Sequence, residues 1–441
     1  MSNYRNISYL LLFISDAVLL YVSLLITLFL RYGAIPSTDL LEVHLTAFTL
    51  LFIAWLFVFF VAGLYDKQTL LFPETLWQRI LKTQLTNSFL AVLFFYLVPI
   101  FNIAPKTNLF IFLAISFGLI TLWRYWVSNF LAKRRPVKAV LIASGAEAEQ
   151  INERVNESAY GISITSHIRP NEIADDDLHD LAREIITRDK ASLVILDTKS
   201  KVVKASLSKL YNFLYSDIYF TTVDALHETI FERISINRLR HEWFIENIRR
   251  TPHVAYDSLK RMMDVGVSGI LYIISLPLYP FISLAIWLDD PGSIFYQQKR
   301  IGQFGKEIEI TKFRSMTMSS EDKRVTKVGW FLRKTRIDEL PQLYNVLEGK
   351  LSLIGPRPET PSLVNFYEKE ISYYQARHLI KPGISGWAQL RHKNPPKFEA
   401  QIQATKEKLS YDLYYVKNRS LLLDIKIGLW TLRVLASRSG T

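Results

Sequence analysis

The chain has 441 residues, 49% hydrophobic and 13% aromatic, and its mean hydropathy of +0.13 is too high for a wholly soluble protein and implies a membrane. It contains no cysteine, which excludes disulfides, thiolate metal sites and cysteine nucleophiles and fits a reducing compartment. The formal charge of +12 gathers beside apolar stretches and in the last third, with no nucleic-acid-binding motif alongside, so it suits anionic lipid head groups and phosphorylated substrates rather than nucleic acid.

Residues 1–135 read as a four-helix transmembrane bundle. The apolar stretches Tyr9–Leu30, Leu45–Leu64, Leu85–Ile103 and Leu109–Phe130 each approximate the ~20 residues a spanning helix requires. No cleavage site follows the first, so it is not a signal peptide. Bases gather at Lys67, Arg79, Lys82 and Lys133-Arg134-Arg135 and are sparse near Arg31 and Lys106, which places both ends of the bundle in the cytoplasm. Asp16 falls inside the first span, where a carboxylate needs a partner, and a helix-packing polar contact is expected. Residues 136–250 read as a Rossmann-like α/β domain: VKAVLIAS from Val137, a turn at Gly145, a helix, and further strands at Ser192–Asp197 and Asp217–Val223. Gly145 is the single glycine where a dinucleotide fingerprint needs three, so the domain is expected to lack a nicotinamide cofactor and to serve scaffolding, homodimer contact or regulation.

Residues 251–441 form the third region. Val265–Leu288 is uncharged, but Pro277 and Pro280 each remove a backbone donor and clash with the preceding turn. Broken there, each arm spans ~18 Å against a ~30 Å hydrocarbon core, so a re-entrant hairpin over 262–288 is expected. Lys260 and Arg261 would anchor its start at the head groups, and Asp289-Asp290-Pro291-Gly292 would turn it out. The stretch EIEITKFRSM alternates as a strand does, placing Lys312 and Arg314 on one face. Adjacent carboxylates Asp338-Glu339 lie among four basic groups: Lys299-Arg300, Lys312/Arg314, Arg333 with Arg336, and Arg357. A diphosphate needs that many charge-assisted donors. Flanking Pro356 and Pro358 stiffen the backbone that aims Arg357. Pro341 begins an apolar helical pattern, so Asp338 falls near a helix N-terminus that favours its anionic form; its bland role is a cap. Such a pair can divide labour between nucleophile and base when the environment separates the two pKa values. Trp387 reads as a packing or interfacial aromatic, with a nucleotide contact the alternative. Leu421–Ala436 is apolar nearly all round and is expected to lie against the bilayer interface.

From Lys260 onward the ordered motifs KRMMD, SLPLYP, DDPGSIFYQQKRIG, KFRSM, RIDELPQLYNVLEGKLSLIGPRPE, KPGISGWAQL and YDLYYVKNRSLLLDIKI resemble the polyprenyl-phosphate sugar-1-phosphate transferases, the monotopic phosphoglycosyl transferases. The amino-terminal part resembles the larger members, which place membrane helices and a Rossmann-like domain before the catalytic module. The resemblance implies that Asp338 attacks the β-phosphate of a UDP-sugar, that UMP leaves, and that the phosphosugar-aspartyl intermediate passes to polyprenyl (undecaprenyl) phosphate. Glu339 would deprotonate or orient the acceptor. It further implies Mg²⁺ held by Asp338 and substrate phosphates, and a catalytic domain on the cytoplasmic face of the bacterial inner membrane that begins capsule, exopolysaccharide or O-antigen assembly. The chain departs from the family's pattern in two places: Ser275 stands one residue before the expected Ser-Pro position, and Leu390-Arg391-His392-Lys393 replaces an Asn-Gly-Arg-like run. Glucose, galactose and N-acetylated hexoses stay open, with glucose or galactose favoured by the chain's size class. Two other classes compete. A membrane-tethered sugar-nucleotide dehydratase or epimerase would need an intact glycine loop and a Tyr-x-x-x-Lys pair, and a non-catalytic assembly scaffold would follow if Asp338 only caps a helix.

Overall fold

The computed structural model describes residues 2–62, 64–65, 73–97, 106–134, 136–157, 161–173, 178–210, 213, 218–248, 254–318, 324–392 and 401–436, in two compact units, Met1–Thr229 and Ile230–Thr441. The first unit opens with helices α1 (Ser2–Tyr32), α2 (Thr38–Val61), α3 (Pro73–Leu97) and α4 (Lys106–Arg134). Ser37 starts α2 by accepting a hydrogen bond from Leu40 N. Phe48, Phe52, Trp55 and Phe59 form its buried stripe, while Ile53, Phe57 and Phe60 on the other side are exposed. Helices apolar on every face need lipid around them. Leu12–Tyr32, Thr38–Val61, Asn108–Val127 and a later stretch, Ala255–Asp289, are long and apolar enough to cross a membrane, and the chain is a membrane protein. Of the third expected span, Leu85–Leu97 lies in α3 and residues 98–103 lie outside the described residues; among the described residues α3 is not one of the spans just named.

Asp16 on α1 finds its partner in Arg124 on α4, both fully buried. The Arg124 guanidinium also donates to Leu64 O at 2.7 Å, and the Tyr65 hydroxyl donates to Asp16 at 3.0 Å. The pair therefore ties the first and last helices of the bundle to the turn that follows the second.

The first unit continues with four parallel strands, β1 (Val137–Ile142), β2 (Ile162–Ile168), β3 (Leu193–Leu196) and β4 (Tyr219–Thr222), in spatial order β2-β1-β3-β4. Helices α5 (Ala146–Glu157), α6 (Leu178–Asp189), α7 (Lys201–Leu210) and α8 (Val223–Phe231) connect them or follow. Val140, Ile142, Val194 and Leu196 are buried with Ala182, Ile186 and Val203, as continuous apolar strands in a parallel sheet require. Gly145 turns β1 into α5 at φ +104°, a conformation that favours glycine.

The second unit begins at Ile230, earlier than the division at residue 250 read from the sequence. The difference has a packing cause. Ile234 and Leu239, with Trp243 and Phe244 of α9 (His241–Asn247), share a core with Val364, Tyr367, Tyr374, Leu409 and Leu413. This stretch straps onto the second unit.

Helix α10 (Val254–Ser275) gives way to a 3-10 turn at Leu276–Leu278 that contains Pro277, and α11 (Tyr279–Asp289) follows with Pro280 in its first turn. The Ser275 hydroxyl donates to Tyr272 O at 2.7 Å, so it satisfies a carbonyl at the break despite its shifted position. Both arms lie along the module that follows. Arg261 donates to Val346 O and Leu347 O, and Asp264 accepts from Leu353 N at 3.1 Å. At the other end Asp289 accepts from Val328 N at 2.8 Å, and Ile286 is buried with Phe313 and Leu332. Between these anchors Ile270, Ile273, Ile274, Phe281, Leu284 and Leu288 are exposed.

The module comprises an antiparallel ribbon of β5 (Phe295–Ile301) and β6 (Glu307–Phe313), α12 (Lys327–Thr335), α13 (Gln342–Leu347), α14 (Pro361–Glu370), a parallel pair β7 (Ser352–Ile354) and β8 (Gly383–Ser385), and α15 (Trp387–Arg391), α16 (Ile402–Asn418) and α17 (Leu421–Ala436). A Cβ on Gly383 would stand 2.1 Å from Gly355 N, so glycine is required where these two strands meet below the Pro356-Arg357-Pro358 turn.

Candidate active site

Thr326 starts α12 by accepting from Gly329 N at 2.9 Å, and the helix ends at Arg336, whose backbone is left-handed (φ 59°, ψ 13°). That residue reverses the chain into a 3-10 turn, Ile337–Glu339, and Pro341 then leads into α13. Asp338 therefore sits in the turn before a six-residue helix rather than at the cap of a long one. Asn345 docks α13 on the ribbon, accepting from Thr311 N at 3.1 Å, and so brings the carboxylate pair to Lys312 on β6.

Glu339 is clamped. Lys312 Nζ lies 3.1 Å and Arg357 NH2 2.7 Å from its Oε1, with Arg336 NH1 4.0 Å from Oε2. Burial pushes this carboxyl up, but the Arg357 and Lys312 charges outweigh it and hold it down to about 2. Asp338 is also buried, yet among the described residues no hydrogen bond or ion pair reaches its carboxylate. Burial and the neighbouring Glu339 charge raise its pKa above the ordinary value, against the pull of Lys312, Arg333 and Arg336. This reverses the order read from the sequence: Glu339 is the firmly ionised member. The short helix gives Asp338 no capping bond to hold its charge, whereas Glu339 has two direct cationic partners.

The basic residues divide. Lys312, Arg336 and Arg357 touch the pair, Arg333 acts on Asp338 from the end of α12, and Arg300 faces the same side. Arg300 reaches Pro358 O at 3.2 Å, and Tyr296, Gln298 and Arg300 share a ribbon face with Lys312 through the Tyr296↔Lys312 register. Lys299 lies on the opposite face, 67% exposed and paired with Glu307 at 3.5 Å. Arg314, just past the strand, points away to hold the Asp290 backbone and carboxylate at the exit of α11. Pro277 and Pro280 stand at the helix break.

Behind the Pro356-Arg357-Pro358 turn lies a second ionic group that pattern reading missed. Arg377 donates to Arg357 O at 2.9 Å and to Tyr374 OH at 2.7 Å, and pairs with Asp412 at 2.8 Å; Glu359 lies 3.7 Å from Arg377 and pairs with Lys408. Burial raises the Glu359 carboxyl, but Lys408 and Arg377 hold it down to about 2. The only trace of this group in the sequence was the Pro-Arg-Pro-Glu run, since its partners come from α16 and the turn before β8. Trp387 is a packing residue: 1% exposed, it donates to Glu232 O at 3.0 Å, and Arg391 and Lys426 lie over its ring.

The arrangement offers one unpaired carboxylate among several cations, with a second carboxylate holding two of those cations in place. Surplus positive charge of this kind accommodates a polyanion such as a diphosphate. For a divalent cation the donor set is one protein carboxylate, Asp338, since Glu339 is engaged and no cluster of three ligating side chains exists among the described residues. That suits Mg²⁺ in its usual mode, in which substrate phosphates and water complete the shell.

This geometry is matched by relationship. The family described as bacterial sugar transferase matches residues 255–438, and the chain belongs to that family of polyprenyl-phosphate sugar-1-phosphate transferases. It is 37% identical over 190 residues to a UDP-glucose:undecaprenyl-phosphate glucose-1-phosphate transferase of Caulobacter vibrioides, covering 41% of this chain and 70% of that one. It is 36% identical to the exopolysaccharide production protein PSS of Rhizobium leguminosarum bv. phaseoli, covering 38% of this chain and 90% of that one. It is 39% identical over 228 residues to a UDP-N-acetylgalactosamine-undecaprenyl-phosphate N-acetylgalactosaminephosphotransferase of Aeromonas hydrophila, where the match spans 49% of this chain and about half (52%) of that protein's length.

Proposed function

We propose that the chain transfers a sugar 1-phosphate from a UDP-sugar to undecaprenyl phosphate, giving undecaprenyl-diphosphate-sugar and UMP, and so begins assembly of a surface glycan. The observation that carries this reading is the unpaired, buried Asp338 carboxylate beside Lys312, Arg333, Arg336 and Arg357. The names of the relatives point the same way. In the first half-reaction an Asp338 oxygen bonds to the β-phosphorus, the bond from that phosphorus to the bridging oxygen breaks, and the electron pair leaves on UMP. The cations stabilise charge as it moves onto the phosphates. In the second, an oxygen of undecaprenyl phosphate attacks the same phosphorus and the Asp338 carboxylate is released. A pKa above the ordinary value makes Asp338 the more basic oxygen nucleophile of the pair. Glu339, held at about 2, is a poor proton acceptor at neutral pH, and its part is to fix Lys312 and Arg357. Magnesium bound at Asp338 and the phosphates would neutralise charge on the leaving nucleotide.

The same reading seats α10 and α11 in the cytoplasmic leaflet of the inner membrane as a re-entrant hairpin. One module grips the hairpin near Arg261 and again at Asp289, and a crossing would separate those anchors by the ~30 Å of the hydrocarbon core. The α/β region after the bundle is read as a Rossmann-like scaffold without cofactor chemistry. The relatives' names differ in the sugar, N-acetylgalactosamine in one and glucose in another. The test is product analysis: purified chain, a panel of UDP-sugars and undecaprenyl phosphate, with UMP release and lipid-linked sugar as readouts and intact mass spectrometry of enzyme given donor alone. One UDP-sugar should give UMP and a phosphosugar adduct at Asp338. Turnover that requires acceptor before any UMP appears, with no adduct, would defeat the covalent route.

A further inference from the structure

Away from the carboxylate pair, a cavity of about 920 Å³ opens between the first turns of α10, the end of α16 and the segment before β8. Asp338, Glu339, Lys312 and Arg357 do not line it. Five basic residues do: Lys260, Arg261, Lys381, Lys417 and Arg419. Three carboxylates share its walls, the exposed Glu246, Asp257, which pairs with Arg419 at 3.4 Å, and Asp264, which accepts from Leu353 N, and Lys260 is engaged by Asp424 at 3.2 Å. Among the described residues Lys381 has no ion-pair partner. Its Nζ and the Arg261 guanidinium converge: both lie within 3.7 Å of the point where a Cβ on Gly349 (φ +84°) would stand. Beside these cations the walls turn apolar, with Ile248, Ile354, Leu379 and Ile380. The apolar run of α10 starts at this rim, where Leu259 is 48% and Met262 70% exposed.

We infer that this cavity is a binding site for the phosphate head group of an anionic glycerophospholipid, distinct from the reaction centre. The inference rests on the membrane-seated reading of α10. Two convergent cations, one without a carboxylate partner, supply the charge-assisted donors a phosphodiester takes, and the apolar walls receive the glycerol backbone and first methylenes. A free phosphate would leave those walls and most of the volume unused. Arg261 also donates to the last carbonyls of α13, so the head group would rest on the same side chain that holds the end of the helix following Asp338 and Glu339.

The test uses the full chain in neutral detergent, stripped of lipid and titrated with phosphatidylglycerol or phosphatidylcholine under native mass spectrometry. The wild type should retain one phosphatidylglycerol in preference to phosphatidylcholine, Lys381→Gln should weaken that retention about tenfold, and Lys381→Arg should restore it. The wild-type comparison of the two lipids needs no variant to fold. Equal retention of both lipids, or equal phosphatidylglycerol retention by wild type and Lys381→Gln, overturns the site. Displacement by inorganic phosphate at concentrations matching the lipid overturns the lipid as its source. Neither donor nor acceptor is present, so a negative result leaves sugar-phosphate transfer standing, and failure of transfer leaves the lipid result readable.

Discussion

Two groups of charges meet at the Pro356-Arg357-Pro358 turn and are built on opposite principles. On the inner side Arg377, Lys408, Glu359 and Asp412 match two cations with two anions, Arg377 and Asp412 fully buried and Glu359 and Lys408 largely so. On the outer side Lys312, Arg333, Arg336 and Arg357 outnumber Asp338 and Glu339, and Asp338 is unpaired. Balance with closure is what a fold needs of buried ions, because a lone buried charge is strongly destabilising. A surplus of cations around a carboxylate pair suits a place where another anion arrives. On the proposed function the outer group receives the substrate phosphates and the inner group supports it, the two joined through the Arg377 bond to Arg357 O.

The sharpest way to break this comparison is at Asp338. Asp338→Asn should lower UMP release by roughly 10³-fold or more while leaving the melting temperature unchanged, since no internal partner is lost. Near-wild-type turnover would make the outer group structural too. Asp412→Ala should do the reverse, removing about 3–5 kcal/mol of stability by leaving Arg377 partly uncompensated, as read by thermal or denaturant unfolding. A stable Asp412→Ala protein would mean that the inner group is not a foundation.

A smaller effect follows from His378, next to Arg377. Burial, with the Arg377 charge, holds its imidazole down to about 4. The unfolded chain takes up this proton near pH 6.5 and the folded chain only near 4, so the folded state loses up to about 3 kcal/mol as pH falls through that window. His378→Gln should flatten the decline in melting temperature between pH 6.5 and 4; an unchanged profile would assign the decline to other groups. Smallest of all, Lys299→Ala should alter UMP release less than about twofold, because its side chain lies in solvent on the far face of the ribbon. A large loss there would place the substrate across both faces.

How much of this was legible beforehand follows the range of the interactions. The Pro277 break, the β1 strand, and the carboxylate pair with Arg333 and Arg336 just before it are local, and short stretches of sequence specify them. The order of the two pKa values was not legible, because it depends on Glu339 finding Lys312 and Arg357 in space. Arg314 and Lys312 look equivalent in an alternating strand, yet the strand ends at Phe313, and Arg314 turns to Asp290. Arg377, Lys408 and Asp412 carry no motif, and only tertiary packing places them beneath Arg357. Strap residues such as Ile234 and Leu239 are too few and irregular to announce which unit they join.

The Asp16–Arg124 pair has a consequence for how the chain is made. The two residues are 108 positions apart, so the helix carrying Asp16 reaches the bilayer well before its counter-ion has been synthesised. An insertion machinery handling the helices one by one would have to keep the first from drifting off until the fourth arrives, and the fourth, with an arginine in its hydrophobic stretch, gains a stable place only beside the first. Asp16 and Arg124 thus need each other within the bundle, and a chain lacking its first helix would leave Arg124 without its carboxylate in the hydrophobic stretch.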